Sequence, residues 1–320
     1  MIYPWLDQVF SELKQLRERG HLPHALLLHG PRGTGRRHLG LALCAEHLGA
    51  PAPEAALTQD PGTGIASDEE LLHPDLLIAQ PPPDKRTLPI DRVRQLIGFL
   101  QLTAHQGQGK AALVSPAEAL SHAAANSLLK TLEEPPAGSL IVLVADAPAR
   151  LPPTVLSRCQ RLRIPLPPAE SAARWLAQDT GVGDASRLLA LAGGAPLVAR
   201  QLYAEGFSEE AERLERDLQA VRRGTAAPVA VARRWAKLPP DRCLDWLYRR
   251  TAAEVRQRAL QAQNNGTGPL QNGPDVLNIS SLFAGLRELG ELRRLAGSGV
   301  NAELGLTQLL NGWYGEVAPR

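Results

Sequence analysis

The sequence predicts an α/β fold built on a parallel β-sheet, followed by regions that are entirely helical. Short apolar runs alternate with amphipathic stretches up to about residue 164, which is typical of a sheet covered by helices on both faces. Beyond a proline-rich linker at residues 165–168, the apolar positions follow helical spacing alone. A chain of 320 residues exceeds one ordinary hydrophobic core, so we expect two or three domains.

The expected elements follow from these patterns in chain order. Strands are predicted where apolar runs are short, at residues 25–28, 75–79, 110–114, 140–144 and 161–164. Helices are predicted at residues 5–19, 39–48, 90–102, 123–134, 169–178, 185–192 and 196–204. The resulting division is an α/β domain at 1–165, a small helical domain at 166–206 and a helical domain at 207–320. Residues 51–68 are interpreted as a loop or weak helix, and residues 264–273 as an exposed loop.

The composition excludes several classes of function. A net charge of +2 offers no overall attraction to nucleic acid, and 4% aromatic residues leave few rings to stack on bases. No apolar run approaches the ~20 residues of a membrane span, and no secretion leader opens the sequence, so we expect a cytoplasmic protein. The cysteines, Cys44, Cys159 and Cys243, are too few and too far apart for a disulfide framework or a four-thiolate zinc site.

A glycine-rich turn joins the first predicted strand to the second helix and reads Gly-Pro-Arg-Gly-Thr-Gly-Arg-Arg. In this setting a phosphate-binding loop surrounds phosphates with backbone N–H groups and a helix N-terminus. Gly30 and Gly35 have the spacing of that motif, and Gly33 adds a further glycine. Arg36, however, stands where the motif has its phosphate-binding lysine, and Arg37 stands where it has its magnesium-binding hydroxyl. The loop therefore keeps the glycine spacing of an ATPase but lacks the lysine and the hydroxyl that bind phosphate and magnesium.

Three further stretches have simple structural interpretations when each is taken alone. Residues 123–136 read Ala-Ala-Ala-Asn-Ser-Leu-Leu-Lys-Thr-Leu-Glu-Glu-Pro-Pro, which is a helix with acids near its end. Ser157, Arg158 and Cys159 lie between the last two predicted strands, where a lone arginine is usually a surface residue. The third stretch, His73-Pro74-Asp75, leads into the second strand.

Taken together in their order along the chain, after the glycine loop, the stretches resemble bacterial clamp-loader subunits, which are AAA+ proteins of the DNA polymerase III holoenzyme. The resemblance covers about residues 1–200 and is greatest to members of the delta-prime type. It implies an AAA+ domain at 1–165, a small helical lid domain at 166–206 and a helical collar domain at 207–320. It also implies a ring with gamma/tau-type ATPase subunits and a delta subunit as partners. The sliding clamp and primed DNA would be contacted through that complex, and no membrane is involved.

The sequence departs from the ATP-hydrolysing relatives at each residue type that contacts nucleotide. The strand that should end in a metal-binding acid is followed by Ser115, Ala145 occupies the place of a sensor threonine, and Leu197 that of a lid arginine. Together with Arg36, these changes lead us to expect no ATPase activity of its own, no bound cofactor and no metal, in a subunit of a DNA-directed DNA polymerase complex. The four-cysteine zinc module of delta-prime relatives is also missing, since residues 45–72 contain no cysteine.

The motif that survives is Ser157-Arg158-Cys159. In the clamp-loader family this arginine projects into the ATP site of the neighbouring subunit as a finger in trans. A guanidinium at the γ-phosphate offsets the charge of the transition state and accelerates hydrolysis by ~10³–10⁵. The resemblance thus assigns this role to Arg158. Cys159 is expected to be a small buried residue rather than a nucleophile, because no histidine lies near it in the sequence.

Alternatives remain open at this level. Arginine can bind phosphate with two N–H groups, so Arg36 and Arg37 could retain weak nucleotide or anion binding, or could instead contact protein groups or solvent. At the level of function, the alternatives are a divergent but active AAA+ ATPase and a stand-alone nucleic-acid-binding protein that uses the arginine-rich C-terminal helices.

Overall fold

The computed structural model describes residues 2–50, 73–82, 85, 87–106, 109–264, 279–295 and 302–314. The chain divides into two compact units, Met1–Ser171 and Ala172–Arg320. The loop predicted at residues 51–68 lies outside the described residues, as does all but the first residue of the loop predicted at 264–273. The second unit contains all but residues 166–171 of the two regions predicted as helical domains, and the boundary between those two regions stays a prediction.

The first unit is built on one five-stranded sheet in the order β2-β3-β4-β1-β5, and all neighbouring strands are parallel. The strands are β1 (Ala25–His29), β2 (Leu76–Ala79), β3 (Lys110–Val114), β4 (Ser139–Ala145) and β5 (Gln160–Arg163). Every residue of the central β3 and β4 is buried, as expected of strands covered on both faces. β5 lies at the edge and is mostly exposed. The predicted α/β class is therefore confirmed.

Helices of the first unit flank this sheet, and the long ones lie where hydrophobic spacing predicts them. They are α1 (Asp7–Glu18), α2 (Arg36–Leu48), α3 (Ile90–Gln101), α4 (His122–Glu133) and the short α5 (Pro153–Leu156), with 3-10 turns at Pro4–Leu6, Ala117–Ala119 and Pro148–Arg150. α2 begins at Arg36, earlier than predicted, because Gly35 in the left-handed conformation immediately precedes the helix. The hydroxyl of Ser121 accepts a hydrogen bond from the Ala124 N–H and caps α4.

The core of the first unit determines where the functional loops emerge. Leu96 of α3 and Leu128 of α4 pack in one buried cluster with the sheet residues Ile141 and Leu143. This packing fixes both helices on the sheet. Because the strands are parallel, their carboxyl ends lie together at one end of the sheet. That end carries the glycine loop after β1, Ser115 after β3 and Asp146 after β4, and it is where open α/β sheets bind ligands.

The second unit is helical throughout its described residues. It contains most of α6 (Ala169–Thr180), then α7 (Ala185–Leu191), α8 (Pro196–Ala204), α9 (Ser208–Arg222), α10 (Pro228–Trp235), α11 (Pro240–Asn264), α12 (Ile279–Leu295) and α13 (Ala302–Tyr314). Trp235 and Trp246 meet edge to face in its core, with ring centroids 6.0 Å apart. Glu254 of α11 accepts hydrogen bonds from Arg222, Arg250 and Arg258. Among the described residues, no helix is both long enough and apolar enough to cross a membrane.

Candidate functional site

The glycine loop after β1 has a backbone that requires glycine at two positions. Gly30 has φ 145° and Gly35 has φ 86°, conformations that side chains other than glycine rarely adopt. A Cβ atom at Gly30 would lie 2.1 Å from the carbonyl oxygen of Ile164, and one at Gly35 would lie 2.6 Å from the ring of Tyr3. These glycines are therefore required by the close packing of the loop, whether or not a phosphate ever binds there.

The N-terminal segment packs directly on this loop. The rings of Tyr3 and Trp5 stack with centroids 5.0 Å apart, and the indole N–H of Trp5 donates to the carbonyl of Thr34 over 2.9 Å. The ring of His38 in α2 lies 4.4 Å from that of Tyr3. Sequence reasoning placed Trp5 at the start of an amphipathic helix and gave no role to Tyr3 or His38. Their contacts show that the loop is held in place by protein groups.

Arg36, at the position of the phosphate-binding lysine, turns inward. Its side chain is only 4% exposed, and its guanidinium donates to the carbonyl of Ala145 and to the carboxylate of Asp146 at the end of β4. A buried guanidinium must have such partners, because its desolvation is otherwise costly. Arg36 therefore contacts protein groups, and the alternative that its side chain is solvated is wrong. Arg37, the next residue, is half-buried.

The ends of the neighbouring strands complete this closed arrangement. Ser115, which follows β3 where relatives carry a metal-binding acid, is buried and joined to Pro116 by a cis peptide bond. The carboxylate of Glu118 accepts hydrogen bonds from the backbone N–H groups of Asp146 and Ala147, over 2.8 and 3.2 Å. Glu118 thus holds the segment that follows β4. Sequence reasoning missed it; its position shortly after a buried strand was the available signal.

Positive charge accumulates where β1 meets the edge strand β5. Burial lowers the pKa of His29, and the nearby charges of Arg163, Arg161 and Arg36 lower it further. His29 is thus neutral at pH 7.

No group of His, Cys, Asp or Glu among the described residues is arranged to hold a metal ion.

Arg158 lies in the turn between α5 and β5, where two of the sequence motifs meet. Its Nε donates to Glu133 Oε1 over 2.7 Å and its Nη2 donates to the same oxygen, so the finger motif contacts the acidic end of α4. Its Nη1 donates to the carbonyl of Thr154 over 2.9 Å. The side chain is 29% exposed. None of the hydrogen bonds of Arg158 runs to the glycine loop.

The buried and hydrogen-bonded neighbours of Arg158 hold its turn in place. Val155 and Cys159 are buried, and the hydroxyl of Ser157 donates to the Thr154 carbonyl over 3.1 Å. Burial raises the pKa of the Cys159 thiol to about 11, so the thiol is protonated and unreactive at neutral pH. Cys159 is thus buried, as predicted.

The third motif, His73-Pro74-Asp75, is structural. Asp75 accepts hydrogen bonds from the backbone N–H groups of His105 and Gln106, and its carboxylate pairs with Lys110 over 2.9 Å. This pair lies at the amino ends of β2 and β3, away from the glycine loop. Burial by itself raises the pKa of Asp75, but these N–H groups and the Lys110 ammonium outweigh it and lower the pKa to about 2.

Comparison with known proteins identifies the family. The family model for the DNA polymerase III delta subunit matches residues 5–168 of this chain. A DNA polymerase III subunit delta' from Pseudomonas aeruginosa is 36% identical over 256 residues, which cover 77% of this chain and 74% of the relative. The chain belongs to the family of DNA polymerase III delta' subunits. The predicted family is thereby confirmed.

Other delta' subunits match over different shares of their length. The delta' subunit of Haemophilus influenzae is 28% identical over 321 residues, covering 97% of both chains. That of Escherichia coli K12 is 34% identical over 203 residues, covering 63% of this chain and 60% of the relative. The similarity therefore extends beyond the α/β unit into the helical unit, where sequence motifs are scarce.

Proposed function

We propose that this delta' family member is a non-hydrolysing subunit of a clamp loader and that it donates Arg158 to the ATP site of a neighbouring subunit. Its partners would be gamma/tau-type ATPase subunits and a delta subunit in a cytoplasmic complex. That complex would load the sliding clamp onto primed DNA. Contact with the clamp and the DNA would be made jointly by the assembled subunits.

One observation carries the first half of this proposal. The cation at the lysine position is buried and its guanidinium is already bonded to Ala145 and Asp146. The charge of Arg36 is already paired with Asp146 and held inside the protein, which weakens its attraction for a phosphate. Arg37 also lacks the hydroxyl, and Ser115 the carboxylate, that would hold magnesium. Leu197, in the first turn of α8, likewise supplies no charge at the place of the lid arginine.

The exposure and anchoring of Arg158 support the second part of the proposal, that it is donated to a neighbouring subunit. Its side chain is partly exposed and stands on a turn anchored by the buried Val155 and Cys159, so it can meet a neighbouring molecule without local unfolding. A chain that has lost its own ATP chemistry and keeps this arginine has a consistent use for it, namely to complete a site on another subunit.

The experiment measures clamp- and DNA-stimulated ATP hydrolysis by the reconstituted complex, comparing the native chain with Arg158→Ala. We expect the rate to fall by ~10³ or more, as is found when arginine fingers are removed. The matched control is Arg150→Ala, since Arg150 is an exposed arginine of the same unit. Size-exclusion chromatography checks that each variant still assembles.

The competing functions are tested on the isolated chain. We expect no magnesium-dependent ATP binding by calorimetry and no hydrolysis. Rapid hydrolysis would establish a divergent active ATPase instead. Tight DNA binding by the isolated chain with a steep salt dependence would favour the nucleic-acid-binding alternative.

A further inference from the structure

We propose that Glu133 is a positioning residue for Arg158, holding the guanidinium so that its outer N–H groups face a neighbouring subunit's nucleotide. This inference rests on the proposed function of Arg158 and deepens it. It starts from the contact between two motifs that lie 25 residues apart in the chain, the acidic end of α4 and the turn before β5.

Glu133 is the partner that links Arg158 to another element. The remaining hydrogen bonds of Arg158 run to Thr154 in α5 and to Ser157 in the turn that follows it. Contacts within this short segment move with the arginine and do not fix its direction relative to the sheet. The carboxylate of Glu133 stands on α4, which is packed on the core through Leu128 and Leu132. The direction of the guanidinium is therefore set by α4.

The bonds to Glu133 leave the outer end of the guanidinium available. An arginine side chain carries five N–H donors. Glu133 takes one on Nε and one on Nη2, and the Thr154 carbonyl takes one on Nη1. The contact from Nη1 to the hydroxyl of Ser157, at 3.4 Å, is longer than an ordinary hydrogen bond. One hydrogen on each terminal nitrogen thus remains, and such N–H groups can donate to phosphate oxygens.

Without this partner, the long arginine side chain would spread over several rotamers. Ordering such a side chain costs conformational entropy, and misplacement of a group by about 1 Å can reduce a rate by ~10²-fold. Glu133 therefore contributes to catalysis through Arg158 and touches no reacting atom itself.

The test measures kcat and KM for ATP in the reconstituted complex. For Glu133→Ala we expect kcat to fall about 10-fold or more with KM for ATP unchanged, because only the transition-state contact is weakened. For Glu133→Gln we expect kcat to stay within about threefold of native, since the amide oxygen can still accept from Nε and Nη2. The control is Glu134→Ala, the adjacent exposed acid, with native kinetics expected.

A double-variant cycle separates positioning from any other role. If Glu133 acts through Arg158, then adding Glu133→Ala to Arg158→Ala causes no further loss of kcat. An unchanged kcat in Glu133→Ala, alongside a large loss in Arg158→Ala, overturns the positioning role and leaves the finger intact. An unchanged kcat in Arg158→Ala overturns the proposed function itself. A loss of assembly in Glu133→Ala would show a structural role instead.

Discussion

Arg36 and Arg158 are both held by a carboxylate in the same α/β unit, but their surroundings differ. Arg36 is buried and spans from the glycine loop to the end of β4, where it donates to the Ala145 carbonyl and pairs with Asp146. Arg158 is partly exposed and bonded along one edge to Glu133, which is itself about half exposed. Burial thus commits the first charge to the fold, whereas the second can be presented to another molecule. Changes at Arg36 should alter stability, and changes at Arg158 should alter the proposed activity.

The largest effect is expected from Arg158→Lys, which keeps the charge and removes the planar fork. Lysine is a point charge that cannot make the paired contact, so we expect ATP hydrolysis by the assembled complex to fall roughly 10²-fold. The thermal midpoint of the isolated chain should change little, because the native side chain is partly exposed. A native rate would show that charge alone suffices and would weaken the contrast with Arg36.

A smaller effect, on stability, is expected from Arg36→Ala. The variant leaves the buried carbonyl of Ala145 without its donor and the carboxylate of Asp146 without its cation. Because Asp146 is about half exposed, the loss is less than for a fully buried pair, and we expect about 2–3 kcal/mol from urea denaturation. Arg150→Ala serves as the exposed control. Equal stability of the two variants would contradict the structural role of Arg36.

A pH titration of stability tests an ion pair in which both partners are buried, Asp75 with Lys110. The pKa of Asp75 is lowered in the folded chain to about 2, from 3.8. Its stabilisation is therefore complete above pH 3.8 and is lost as the pH falls toward 2, by at most about 2 kcal/mol. Asp75→Asn should remove this component of the pH dependence. If the dependence were the same in native chain and variant, the pair would not be the cause.

The smallest effect is expected where both partners are exposed. Arg94 and Asp91 form an ion pair of 3.5 Å with side chains 66% and 80% exposed. Arg94→Ala should change the free energy of unfolding by about 0.5 kcal/mol or less, because solvent screens such pairs. A loss comparable to that of Arg36→Ala would contradict the dependence on burial.

Local patterns predicted much of the α/β unit. The apolar runs of β1, β3 and β4 and the helical spacing of α3 and α4 are properties of short segments, and the structure has these elements within a few residues of the predicted bounds. The spacing of the glycines likewise predicted the loop between β1 and α2. The short α5 carries too few residues to show a period, and it was not predicted.

Residue identity and spacing were enough to predict the family, the order of strands and helices along the chain, and the loss of the residue types that bind ATP. Which charges meet depends on the packing of the folded chain. Arg36 and Asp146 are 110 residues apart in the chain, and Arg158 and Glu133 are 25 apart. No periodicity relates such positions, since they are joined by the parallel packing of strands and helices whose register depends on the whole core.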